Sequence, residues 1–421
     1  MTRSSSASEN QNSSAVQAVA SLLVIFFFLC SVAKACLAQT PIEGFQKTLG
    51  TQAGLTVDDW SSLEHGGVVV KLLPAADKRE VRVYGLTRLP GTPDEVVKAF
   101  QESMVQQKHK SLLSKGKFGN PPTLGDVETL ALESGDIEDL RTCVVGRCEL
   151  KLSVSMIARF QRDVNWNSVD YATQVNRLYR EMLIDYVRDY QMRGDAALVE
   201  YHDQRRSVLT RDEQQTLFER MLYLHEFAPE FADYLTRFPY SELPDVESHV
   251  SWTKVKFGLK PIITVNHAVT YRSPQSGQIL TVTKQLYANH YLDSSLALTA
   301  VLRTPTSSGD DFYLLYANYS RSDSLAGSFS RVRRGLVETE SVENLNALLH
   351  QTRANLPVES ANQSGSDPTL RNDPITEWLL SGIRPYAWLF ALTALGVSLF
   401  VNRRKGRRVE RRSTIPADGG R

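Results

Sequence analysis

The densest group of potentially reactive side chains in this 421-residue chain is Asn289-His290-Tyr291-Leu292-Asp293-Ser294. A nucleophilic reading makes Ser294 or Ser295 the attacking hydroxyl, His290 its base and Asp293 the group that orients the imidazole. Working triads draw their members from separate segments, and the chain has no Gly-x-Ser-x-Gly elbow to expose a serine. The plainer expectation is a strand end and a turn capped by Asp293 and Ser294. A third use is a polar group that orients a ligand. His225-Glu226 opens like a zinc-protease helix, but the second histidine is missing and Pro229 breaks the helix. Tyr201-His202-Asp203 reads as helix-end capping and surface pairing. His267, beside Asn266, reads as a satisfied strand residue. Gly66-Gly67 follows His65 and precedes a strand, the wrong order for a phosphate-cradling turn. No catalytic residue, metal or cofactor is expected.

The two ends of the chain speak to topology. An apolar run from Tyr386 to Val401 is followed at once by Arg403, Arg404, Lys405, Arg407 and Arg408. A run of about 17 apolar residues can cross a bilayer as a helix. The cations would hold its far end in the cytoplasm, and Trp378, Tyr386 and Trp388 suit the opposite headgroup level. At the other terminus the run Ala18 to Val32 has the length of a signal-peptide core, with Ala35 and Ala38 as cleavage-type small residues. The expected localisation is a single-pass cell-membrane protein, with an extracytoplasmic (periplasmic) body and a cytoplasmic tail.

The formal net charge of the chain is +1. The segment after Asn402 carries a net of about +6, so the body is mildly acidic. That excludes a nucleic-acid partner, which needs a basic footprint on the folded domain. The basic tail reads as a stop-transfer cluster that also touches anionic lipid. Cys143 and Cys148 are the cysteines of the mature body. In an oxidising compartment such a close pair reads as a disulfide across a turn. The spacing is neither the redox nor the haem-attachment motif.

The organisation expected is 1–38 signal peptide, 39–120 β-hairpin and helix, 121–245 helical insertion, and 246–354 antiparallel sheet plus C-terminal helix. A breaker-rich linker (355–375), a transmembrane helix (378–402) and a basic tail (403–421) complete the chain. Val68 to Leu73 and Val81 to Tyr84 form the hairpin around Pro74. Thr92, Pro93 and Glu95 mark a capped helix start, and Thr210 with Glu213 marks another. Tyr171, Val175, Leu178, Met182 and Tyr186 recur at helical spacing, and Tyr179, Leu183, Val187 and Tyr190 widen that stripe. A helix buried on more than one side is expected there, ending at Gly194. Ile262 to Tyr271, Gln278 to Tyr287, Leu296 to Arg303 and Phe312 to Tyr319 read as a meander. Leu325, Phe329, Val332 and Leu336 read as one face of a helix that Ser341 restarts. The fold class is α+β: an antiparallel sheet with helices on one face, a large helical insertion and one C-terminal transmembrane helix.

A strand, a small-residue turn and a helix opening Pro93-Asp94-Glu95-Val96-Val97, then later a meander and a long helix, resemble START-like (helix-grip) domains. The resemblance covers about 67–106 and 252–356 and implies a curved sheet gripping a helix around an apolar cavity. The helical middle departs from that pattern. Otherwise the chain resembles an uncharacterised bacterial envelope protein. The function this resemblance implies is non-catalytic binding of a lipid or other hydrophobic small molecule near the membrane, with Tyr271, Tyr287, His290 and Tyr316 as lining residues. The alternative is a structural or assembly role, in which the helical middle docks an envelope protein partner. A hydrolase built on His290 is the third reading.

Overall fold

The computed structural model describes residues 50–51, 53–108, 111–256, 260–303, 311–326 and 330–356, all within one compact unit. The chain runs α1 (Val57–Glu64), β1 (Val68–Leu72), β2 (Glu80–Pro90), α2 (Pro93–Lys108), β3 (Leu112–Lys117), α3 (Ser134–Arg141), α4 (Val154–Asp163) and α5 (Tyr171–Arg193). It continues through β4 (Glu200–Tyr201), β5 (Val208–Leu209), α6 (Thr210–Glu219), α7 (Leu222–Phe227) and α8 (Pro229–Arg237). Then come β6 (Val246–Val255), β7 (Ile262–Arg272), β8 (Ile279–Ala288), β9 (Ser294–Arg303), β10 (Asp311–Arg321) and α9 (Ser330–Ala354).

Eight strands form one antiparallel sheet in the order β1-β2-β10-β9-β8-β7-β6-β3. Its two edges come from the first expected block and its centre from the last. Strands β8 and β9 are buried along almost their whole length. That pattern requires cover on both faces.

On one side, here the helical face, α5 packs onto β6 to β8. Tyr179, Met182, Tyr186 and Tyr190 share a core with Trp252, Val265 and Tyr287. Gly194 ends α5 at φ +56°, and a Cβ there would overlap the Phe238 carbonyl oxygen. Only glycine allows both the left-handed turn and the crossing chain. On the other side, here the α9 face, α2 and α9 lie over the β1-β2-β10-β9 half. Phe100, Met104, Leu345, Leu348 and Leu349 close over Val83, Leu314 and Tyr316. Gly85 lets α9 approach: a Cβ there would sit 2.6 Å from Leu349 Cδ1. The box at the start of α2 is present, with Thr92 N donating to Glu95 Oε2 at 2.8 Å and Glu95 N donating to Thr92 Oγ1 at 3.3 Å.

Several expectations need correction. The fold class is α+β, but no helix among the described residues is long and apolar enough to cross a membrane. The longest of them, α9, has 25 residues but carries Arg331, Arg333, Arg334, Glu338 and Glu340. The span expected over 378–402 lies outside the described residues, as do the signal segment 1–38 and the tail 403–421. Helices cover both faces of the sheet rather than one. The helical middle is not an appendage, because its wide tyrosine stripe is the layer that buries the helical face. Helix α9 runs unbroken through Ser341, with Val337, Leu345, Leu348 and Leu349 buried and Val332 exposed. The box at Thr210 does not form. Thr210 Oγ1 donates to the Val199 carbonyl, and Glu213 pairs with Arg79 and Arg321. The last turn of α9 belongs to the fold: Asn355 Nδ2 donates to Ser103 Oγ at 2.8 Å, and Leu356 is buried beside α2.

Candidate ligand-binding site

The α9 face of the central strands is polar and buried at once. Asn266 on β7 pairs with Gln285 on β8, and Thr281 on β8 pairs with Thr299 on β9. Thr283 lies between its neighbours at two-residue spacing, so all of these project from one face. Asn266, Thr283 and Gln285 are at most 2 % exposed, and Thr299 is 7 % exposed. Some of the surrounding hydroxyls pair with one another. Thr253 and Thr264 meet at 3.1 Å, and Thr270 and Thr281 at 3.0 Å. Asn266 Nδ2 donates to Thr264 Oγ1 at 3.0 Å. Asn266 Oδ1, Thr283 Oγ1, Gln285 Oε1 and Thr299 Oγ1 are left without a partner among the described residues. A buried polar atom left unpaired costs about 1–3 kcal/mol. Four such atoms stand side by side on three adjacent strands.

The surroundings set the character of that place. The patch itself carries no charged side chain. His249, on the same face opposite Ala268, is pushed down to about 4 by burial and by the nearby Lys117 charge, so it is neutral. Towards α2 the patch meets an apolar wall. Tyr316 is the cross-strand partner of Thr299, and its ring lies 5.8 Å from that of Phe100. The arrangement can accept hydrogen bonds at one end and cover an apolar body at the other.

The four lining residues expected from sequence do not share one surface. Tyr271 is on the helical face, stacked on Phe231 at 5.3 Å. Tyr287 is on the same face, 6.1–6.4 Å from the rings of Tyr179, Tyr186 and Tyr201. His290 lies in the turn after β8. Tyr316 alone stands beside the polar patch. The residues that form the patch give no signal in the sequence, because Thr, Asn and Gln alternating with Val, Tyr and Leu read as the solvent side of a strand.

The hexapeptide around His290 assembles into an ion cluster rather than a triad. His290 Nε2 lies 3.1 Å from both oxygens of Asp136, and Nδ1 lies 3.2 Å from the Glu149 carbonyl oxygen. Both ring nitrogens therefore face oxygen acceptors. Asp293 is bonded elsewhere: its Oδ1 accepts from Lys151 Nζ at 2.6 Å, and Asp203 stands 3.8 Å from that ammonium. Burial works against the Asp136 carboxylate, but His290 and Lys260 outweigh it and hold its pKa below the ordinary range. Burial pushes Asp293 up to about 6 despite the pull of Lys151. Burial also opposes the Lys151 ammonium, and Asp293 with Asp203 more than offsets it. A cleft of about 450 Å³ opens beside Lys151, Asp203, Lys260, His290 and Arg333. Ser295 Oγ accepts from Asn318 Nδ2 at 3.3 Å, and Asp293 N donates to the Arg321 carbonyl. The strand-end-and-turn expectation describes this segment better than the nucleophilic one.

Among the described residues no His, Cys, Asp and Glu group could hold a metal ion. Cys143 and Cys148 form the expected disulfide. No protein-family model matches the chain, and no curated protein matches it.

Proposed function

We propose that this protein binds a small amphipathic molecule against the α9 face of its sheet and holds it without transforming it. The observation that carries this is the set of four buried, unpartnered oxygens on Asn266, Thr283, Gln285 and Thr299. A fold gains nothing from burying such atoms unpaired, and Thr-to-Val replacements would have removed half of them at constant shape. The apolar wall of Phe100 and Tyr316 suits the hydrophobic part of the ligand. The position of α9 across one half of this face supports kinship with helix-grip proteins, with a polar contact surface added to the cavity that the resemblance implies. The Cys143–Cys148 disulfide supports a body outside the cytoplasm, next to the membrane that would supply a lipid-like ligand.

Native mass spectrometry of the full-length protein, released from mild detergent, tests the reading. The expected result is a discrete added mass of a few hundred daltons, lost in Thr283→Val/Thr299→Val. Repeated spectra at the bare protein mass, from cells of the native host, would contradict it.

A further inference from the structure

We infer that the helical face carries a second, separate binding site, for a small apolar carboxylic acid with a hydrogen-bond donor at its far end. A cavity of about 310 Å³ lies between α6, α7 and α8 above and strands β8 and β9 below. That is the lower end of the size range of small-molecule sites. Its floor is Lys284 and Leu296, which face each other across the last rung of the β8–β9 ladder.

Beyond that rung Gln214 of α6 bridges the two strands. Its Nε2 donates to the Gln285 carbonyl at 2.6 Å and to the Ser295 carbonyl at 3.0 Å. Those two bonds use both amide hydrogens and fix which end of the group is oxygen. The structural task is then complete, and Oε1 remains without a partner although Gln214 is only 2 % exposed. Gln214 lines the cavity, so its free acceptor asks for a donor from an occupant.

The remaining walls define the rest of the ligand. Phe218, Leu235 and Leu296 supply an apolar middle. The charged residues differ in their commitments. Lys284 Nζ donates to Asp195 Oδ1 at 2.7 Å, and Glu219 accepts from Gln215 at 2.9 Å. Arg211, exposed at the rim, makes no hydrogen bond or ion pair among the described residues. A carboxylate at Arg211, a short apolar chain over Phe218 and Leu296, and a hydroxyl or N–H at Gln214 Oε1 would satisfy the groups at both ends of the cavity. This site is on the opposite side of the sheet from the polar patch and stands whether or not that patch binds anything.

The probe is 6-hydroxyhexanoate, titrated into the full-length protein by calorimetry beside hexanoate and 1,6-hexanediol. Saturable binding of 6-hydroxyhexanoate is expected, with hexanoate, which lacks the donor, about tenfold weaker. Arg211→Gln should weaken 6-hydroxyhexanoate about tenfold and leave 1,6-hexanediol unchanged. Leu235→Trp, which fills the cavity, should abolish both, while Thr283→Val on the opposite face should alter neither. Absence of saturable binding by all three probes would overturn the inference. So would equal affinities in wild type, Arg211→Gln and Leu235→Trp.

Discussion

The two faces of the central sheet solve the same problem differently. On the helical face, tyrosines of α5 and of β4 reach down and match polar groups of the sheet. Tyr190 OH lies 2.8 Å from His267 Nδ1, and Ser248 Oγ lies 2.6 Å from His267 Nε2. Tyr186 OH donates to the Leu286 carbonyl at 2.7 Å, and Tyr201 OH accepts from Ala288 N at 2.9 Å. On the α9 face the same strands present four oxygens that nothing among the described residues matches. Matched buried groups hold the fold together. Unmatched ones weaken it unless something else arrives.

Substitutions can break or sharpen this contrast. The largest effect is expected at the ion cluster beside the sheet. Lys151→Met removes the cation next to Asp293, which has no exposed side-chain surface, and should cost about 3–5 kcal/mol in urea unfolding near pH 8. Tyr190→Phe on the helical face leaves His267 Nδ1 unpaired and should cost about 1–3 kcal/mol in the same assay.

The histidine also gives that face a pH signature. Burial, with Lys284 and His249 adding to it, holds the His267 pKa well below its ordinary value. Its contribution to stability is therefore complete above about pH 6.5 and declines as the pH falls, because only the unfolded chain then takes up the proton. The slope from this residue is at most about 1.4 kcal/mol per pH unit. Unfolding measured between about pH 7 and 5 should show this slope, and His267→Gln should reduce it. His249, held at about 4, contributes a remainder of the same sign.

The smallest effect has the opposite direction. Thr283→Val/Thr299→Val on the α9 face should raise the stability of the ligand-free protein by about 1 kcal/mol while removing ligand retention. A loss of stability as large as that of Tyr190→Phe would erase the distinction between the faces.

Much of the scaffold is legible in the sequence. The hairpin at Pro74, the four-strand meander, the buried helix ending at Gly194 and the Cys143–Cys148 pairing all arise from period, breakers and spacing. Strands β3 and β6 are harder to read. Leu112–Lys117 follows two leucines with Ser, Lys, Gly and Lys, and Val246–Val255 has Glu, Ser and His right after its first residue, so neither stands out from a loop by hydropathy. The polar patch is hidden for a related reason. Period-two alternation tells which residues share a face of a strand, but not whether that face meets water, a helix or a ligand. Thr281, Thr283 and Gln285 look like a solvent edge until the burial of the whole sheet is known. His290 stands out in the sequence because its neighbours are reactive types. Its actual partner, Asp136, lies 154 residues away.

Electron density beside Asn266, Thr283, Gln285 and Thr299, in a crystal structure of protein purified from its native host, bears most directly on the binding reading. The prediction is one continuous molecule with donors within hydrogen-bond distance of at least two of these oxygens and an apolar part against Phe100 and Tyr316. Density for water alone, or rotamers in which the four side chains bond to each other, would contradict it.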